Sequence, residues 1–302
     1  MSGKADSLKS IFFALAANFA IALAKGVAAF FTNSGSMLAE AIHSLADCGN
    51  QLLLLWGVRH AKRSPDEQHP LGYGKSIYFW SFIVALLLFS VGGVFSVYEG
   101  VHKLHTHSTL ESPLLAIGVL AFAVVTESLS MAGCIREVNK VRAGRSFFQW
   151  FRETRQSELL VIFGEDLAAL CGLVLALAAV LLTVITGNPL YDALGSIAIG
   201  TLLLIVAWML ASEVKALIIG QGVEPAQRDE MWNYLEQQPE IERVFNLLTL
   251  QMGDDVMLAV KAQMRPATSD LALIDAINAV EKRLRQRYPQ VLWCFFEPDY
   301  QD

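Results

Sequence analysis

The sequence predicts an α-helical membrane protein, six transmembrane helices followed by a small α+β domain, and three observations carry that expectation. Of its 302 residues 54% are hydrophobic and 17% charged, too apolar for an ordinary soluble chain. Six apolar runs, at about 8–31, 36–58, 76–100, 113–135, 157–185 and 189–218, are each long enough to cross a bilayer. After residue 220 such runs stop and short alternating elements begin. The chain is therefore expected to divide into a membrane domain, residues 1–220, and a second domain, residues 221–302.

The first run resembles a secretory signal in having Lys4 and Lys9 before it, but it is about twenty residues long and lacks a small-residue cleavage site. It reads as the first span. Basic residues set the orientation, because Lys and Arg accumulate in short cytoplasmic loops. The loop after the second run carries Arg59, Lys62, Arg63 and Lys75, and the loop after the fourth carries Arg136, Lys140, Arg142, Arg145, Arg152 and Arg155. The opposite loops, around Asn33, His105 and Asn188, contain only Lys103. Both termini are thus expected in the cytoplasm. The net charge of -6 does not oppose this, since its acidic excess lies largely in the tail and the rule counts basic residues. With no Arg-rich, acid-poor presequence recognised, the expected membrane is the bacterial inner membrane.

In the tail, residues 225–238 predict a helix, 243–252 and 255–265 strands around the turn Gly253-Asp254-Asp255, 270–288 an amphipathic helix, and 291–296 a last strand. In Leu271, Ile274, Ile277, Val280, Glu281 and Leu284 the helical period leaves one apolar stripe expected to lie on the sheet. So small a domain has a thin core, and pairing with a second copy is expected to support it.

The second run carries the chemistry. Glu40, His43 and Asp47 are spaced three and four apart, which sets them on one helix face. Imidazole nitrogen and carboxylate oxygen are donors suited to zinc and its first-row neighbours. An ionised side chain at the bilayer centre costs roughly 2.5 to 3.5 kcal/mol on insertion scales, so a functional reason for the pair His43 and Asp47 is expected. The plainer alternative is hydrogen bonding to neighbouring helices, which suits Glu40 better because it lies nearer the outer surface.

In the fifth run, Phe163-Gly164-Glu165-Asp166-Leu167 places two acids side by side in apolar surroundings. Adjacent residues project about 100° apart on a helix, so one acid is expected to bind metal while the other meets a neighbour, a proton or water. Asp166 is the expected ligand and Glu165 the alternative. Lys25 in the first run and Glu127 in the fourth are buried by sequence, and each calls for an interhelical ion pair or a shared water path. His102, His105 and His107 form a short tract away from the cytoplasm, able to capture metal but ordinary as solvated loop residues. Cys48, Cys134, Cys171 and Cys294 lack metal-finger spacing and read as packing residues.

Together these residues resemble the cation diffusion facilitators, over nearly the whole chain. The loop Asp66-Glu67-Gln68-His69-Pro70-Leu71-Gly72-Tyr73-Gly74-Lys75 is similar to that family's signature after the second span. So is Tyr191-Asp192-Ala193-Leu194-Gly195-Ser196, which opens the sixth run. The stretch from His43 through Asp47 and Asn50 to Gln51, with Glu165-Asp166, most resembles the branch containing the mitochondrial zinc exporter of animals. The resemblance implies efflux of a divalent metal, zinc first, from the cytoplasm by proton antiport with alternating access. It also implies a ferredoxin-like cytoplasmic domain, a homodimer in the lipid bilayer, and no enzymatic activity, cofactor or nucleic-acid partner.

The departures sharpen the expectation. Zinc members commonly carry His or Asp four residues before the fifth-helix Asp, where this chain has Ile162, so His43, Asp47 and Asp166 leave the fourth position to water or Glu165. A site richer in oxygen is also more open to manganese or iron. In the signature loop Asp66 and His69 remain while Tyr73 replaces a second His, which leaves at most a weak second metal site, or a structured loop that positions the third span. All six histidines precede residue 108, and Asn246 and Lys261 stand where the resemblance would place tail histidines. Asp254, Asp255, Glu297 and Asp299 offer only a weak oxygen site, so the tail is expected to be a constitutive dimerisation module.

Neutral imidazole and ionised carboxylates bind metal and their protonated forms expel it, which couples metal to a proton gradient. The alternatives kept open are a non-transporting partner or metal sensor, favoured by Ile162, and a transporter preferring manganese or iron. A membrane metalloenzyme would need a general base beside an open metal position, for which Glu165 is the sole candidate.

Overall fold

The computed structural model describes residues 3–106, 112–142 and 144–301. Helices occupy every apolar run: α1 (Gly3–Thr32), α2 (Gly35–Ala61), α3 (Ser76–Leu87) continued by a π-helical segment (Leu88–Val94) and α4 (Phe95–Thr106), then α5 (Pro113–Val141), α7 (Ser157–Thr186) and α8 (Leu190–Ile219). A short α6 (Phe147–Glu153), not anticipated from the sequence, sits in the basic loop before α7 and is capped by Ser146, whose hydroxyl accepts from Gln149 N–H. Among the described residues, four helices are long and apolar enough to cross a membrane: Ser76–His105, Pro113–Val141, Ser157–Thr186 and Leu190–Ile219. In α2 the apolar run is diluted by Glu40, His43, Asp47, Asn50 and Gln51.

The chain folds into two compact units. One gathers the residues up to Trp56 with Trp80–Arg145 and Glu158–Ser212; the other gathers Gly57–Phe79, Ser146–Ser157 and the chain from Glu213 onward.

In the helical unit the continuous helix from α3 to α4 and α8 meet through small residues. A Cβ on Gly200 would lie 2.8 Å from the Gly93 carbonyl oxygen, and one on Gly100 would lie 2.8 Å from that of Ala193, so the two backbones touch where side chains are missing. Leu88, Leu203 and Leu210 are fully buried there, while Phe30, Leu114, Ile185 and Trp208 are exposed. Apolar side chains facing outward suit helices whose solvent is lipid.

The other unit carries a three-stranded sheet, β1 (Ile241–Met252), β2 (Asp255–Met264) and β3 (Val291–Pro298), with β2 central, antiparallel to β1 and parallel to β3. Helices α9 (Pro225–Glu236) and α10 (Asp270–Arg287) complete the expected order helix, two strands, helix, strand. Met231, Leu235, Leu258, Val280 and Leu284 form the centre of its core. The stripe expected on α10 is covered only in its second half: Val280 and Leu284 are buried, whereas Leu271 and Ile274 are exposed. Helical periodicity marks a face but not how far the sheet extends beneath it. The β1–β2 turn uses Gly253 at φ 71°, where other residues are strained. Its N–H donates to Tyr78 Oη at 2.9 Å.

Candidate metal site

One face of α2 concentrates the polar groups. Glu40, His43, Asp47 and Asn50 follow one another at three- and four-residue steps, which keeps them in line on a helix of 3.6 residues per turn. Glu40, His43 and Asn50 are fully buried, and His43 Nδ1 lies 3.6 Å from Asp47 Oδ1. Glu40 Oε1, both ring nitrogens of His43, Asp47 Oδ1 and Asn50 Oδ1 are buried without a hydrogen-bond partner among the described residues. Each such atom costs about 1–3 kcal/mol, and their concentration on one face makes a donor set suited to a cation.

Neighbouring helices supply the surroundings. Glu165 on α7 is buried and accepts from Asn50 Nδ2 at 2.6 Å. Asp166, next in sequence, faces elsewhere and accepts from Ser130 Oγ of α5 at 3.3 Å. The divergence expected for adjacent acids is therefore present, and it is Glu165 that reaches the α2 face. Glu127, one turn before Ser130, lies within electrostatic reach of His43, Asp47 and Asp166. Lys25 of α1 is fully buried, its Nζ 2.6 Å from Ser44 Oγ and 3.5 Å from Glu40 Oε2, the interhelical ion pair its burial calls for. Between α3 and α4, a Cβ on Gly92, inside the π-helical segment, would stand 4.0 Å from His43 Nδ1; π turns recur at functional sites. Among the described residues no three His, Cys, Asp or Glu side chains stand close enough together to hold one ion. Ile162 is 38% exposed on α7.

Asp192, at the start of α8, fixes the N-terminus of α2. It accepts from Ser34 Oγ and Gly35 N–H, both at 2.7 Å, and from Ser36 N–H at 3.3 Å, while Lys103 Nζ stands 3.6 Å from Oδ2. A carboxylate at the positive end of a helix dipole is stabilising, and here it also holds the register of the His43 face. Neither this role nor that of Asn50 was foreseen from sequence. For Asn50 the signal was its spacing after Asp47; for Asp192 there was none beyond the family-like run that contains it.

The other candidate positions are differently engaged. His105 Nδ1 lies 2.8 Å from Val101 O, and His102 stacks on Tyr98 with centroids 6.2 Å apart; His107 lies outside the described residues. In the loop between α2 and α3, Asp66 accepts from Tyr73 Oη at 2.6 Å and from the N–H groups of Gln68 and His69 at 3.0 and 2.7 Å. These bonds, the Tyr73 hydroxyl foremost, hold the Asp66 carboxyl below its usual range. His69 Nδ1 is 3.5 Å from the same carboxylate, so Tyr73 takes the place of a ligand as a hydrogen-bond donor. In the tail, Asn246 and Lys261 are paired residues of β1 and β2, and Lys261 Nζ binds Asp299 at 3.1 Å. Burial raises the Asp255 carboxyl, with Asp254 adding to it.

The profile of the cation efflux transmembrane domain matches residues 11–219. The chain is 38% identical over 226 residues to the proton-coupled zinc antiporter SLC30A9, mitochondrial, of Xenopus laevis, covering 74% of this chain and 40% of that protein. The protein of the same name from Homo sapiens is 36% identical over 232 residues, 76% of this chain and 41% of its own length. Metal tolerance protein C4 of Arabidopsis thaliana is 30% identical over 249 residues, 82% and 54% of the two chains. The chain thus spans about two fifths of the length of the first two relatives.

Proposed function

We propose, because this chain belongs to the cation diffusion facilitator family, that it is a metal-proton antiporter exporting zinc from the cytoplasm. It is an integral membrane protein with a small C-terminal sheet domain. The observation that carries the proposal is the buried α2 face, where His43 and Asp47 present unpartnered donors beside Glu165. The named relatives, two of them zinc antiporters, support zinc as cargo. In this reading His43, Asp47 and Asp166 bind the ion, and Glu165 serves as a further ligand or carries a proton. Cytoplasmic zinc enters while imidazole is neutral and the carboxylates are ionised; protons arriving from the other side displace it.

The same reading takes residues 1–220 as a six-span transport domain with both termini cytoplasmic, and residues 221–302 as a ferredoxin-like module that pairs two copies. The bacterial inner membrane is its proposed seat, although the named antiporters are mitochondrial. Asp66 and His69 form at most a weak second site, since the loop itself engages Asp66. In proteoliposomes, His43→Ala and Asp166→Ala are expected to abolish zinc-driven proton flux while the protein still folds; wild-type rates in both would refute the site.

A second reading, a partner or sensor that does not transport, is favoured by Ile162, which offers no donor on α7. Wild-type vesicles without metal-dependent proton flux, yet with zinc bound, would establish it.

A further inference from the structure

We infer that Lys25 is a tethered competitor of the transported cation, an ammonium fixed beside the α2 donors that weakens the ion's hold and speeds its release; this rests on the transport reading above. Lys25 is wholly buried in α1 and engages α2 at two points, Ser44 Oγ at 2.6 Å and Glu40 Oε2 at 3.5 Å. Ser44 adjoins His43, and Glu40 lies three residues before it. Through Glu40 the ammonium thus reaches the helix face that presents the imidazole.

Glu40 is built asymmetrically. One oxygen meets Lys25, while Oε1 is fully buried and unpartnered among the described residues. It points at α7, where a Cβ on Gly172 would come within 2.5 Å of it, so a glycine keeps the space that the oxygen occupies. The imidazole three residues on also has both ring nitrogens without a hydrogen-bond partner among the described residues, so bare oxygen and bare nitrogens share one buried helix face. Among the described residues, Glu40, His43 and Asp47 of α2 lie within electrostatic reach of Lys25. A divalent ion held by His43 and Asp47 and the Lys25 ammonium draw on one set of negative charges, and charges a few ångströms apart in a low-dielectric interior repel strongly. Metal entry therefore loosens the Lys25–Glu40 pair, and re-formation of that pair opposes the metal. No covalent bond is made or broken.

The test uses the full chain. Zinc affinity is measured by titration in detergent, and zinc-driven proton flux in proteoliposomes, for wild type, Lys25→Gln, Lys25→Met and Lys25→Arg. Lys25→Gln, which can still hydrogen-bond Ser44, is expected to bind zinc at least tenfold more tightly and to turn over at least tenfold more slowly, with Lys25→Met alike and Lys25→Arg near wild type. A merely structural Lys25 predicts weaker binding and lost flux together, and that result, or unchanged affinity, overturns the inference. Absence of flux in wild type refutes the transport reading instead, while the titration still judges Lys25. Should the uncharged variants not fold, reductive methylation of Lys25 in wild type followed by mass spectrometry decides: saturating zinc is expected to raise labelling several-fold, and unchanged labelling refutes competition.

Discussion

The amide of Asn50 donates to Glu165 Oε1 across 2.6 Å, tying α2 to α7 three residues beyond Asp47. The bond fixes which of the two α7 acids shares the α2 face. Asn50→Ala leaves Glu165 buried without that donor, and an unsatisfied buried acceptor costs about 1–3 kcal/mol, more if charged. Thermal unfolding in detergent is expected to show a lower midpoint for Asn50→Ala. Glu165→Gln keeps an amide-to-amide bond and should hold its midpoint while losing proton flux. Equal midpoints for Asn50→Ala and wild type would mean that the bond does not organise the site.

The pair His43 and Asp47 was legible because an i,i+4 spacing survives any packing of the helix. The divergence of Glu165 and Asp166 was legible for the same reason. Which of them meets α2 was not, because the rotation of α7 about its axis is set by what packs against it, such as Leu160 and Leu173, both fully buried. Asn50 escaped notice because a neutral amide carries little of the insertion cost that singles out a charge. The π-helical segment at Leu88–Val94 has no composition that distinguishes it from ordinary helix. In the tail the elements follow strand alternation, the proline that opens α9 at Pro225 and the cap at Ser269, whereas the exposed Leu271 and Ile274 reflect the reach of the sheet, a tertiary quantity.

Asp192 joins the first turn of α2 to α8 and to Lys103, and both charged side chains are nearly buried. Removing one partner of a buried ion pair costs about 3–5 kcal/mol, and loss of a helix cap adds about 1 kcal/mol. Asp192→Ala should therefore be strongly destabilised by thermal unfolding, with Asp192→Asn, which keeps one acceptor, between it and wild type. A midpoint for Asp192→Ala matching wild type would remove the clamp from the account of how the His43 face is held.

The Tyr73 hydroxyl is the first cause that holds Asp66 below its unfolded value of 3.8. A depressed carboxyl contributes stability that is complete above the unfolded pKa and lost as pH falls through the folded one. Loop order between α2 and α3 should thus persist below pH 3.8 in wild type, and in Tyr73→Phe the acid transition should move up toward that value. Hydrogen exchange of residues 57–79 against pH reads the shift. Coincident transitions would show that Tyr73 does not hold the loop.

Ile162 lies one helical turn before Asp166 on α7 and is 38% exposed, so a histidine there enters without crowding the interior. Its imidazole would add a nitrogen donor on the side of α7 that carries Asp166. Imidazole suits zinc, whereas carboxylate and water leave a site open to manganese. In competition transport, Ile162→His is expected to raise the zinc-over-manganese ratio by about tenfold, equivalent to about 1.4 kcal/mol of differential binding. The direction depends on Asp166 being a ligand. If Glu165 alone turns toward the metal, as its bond to Asn50 permits, a ring beside Asp166 stays about 100° away around the helix and the ratio does not change. The same measurement therefore decides between the two acids as well as testing the missing fourth donor.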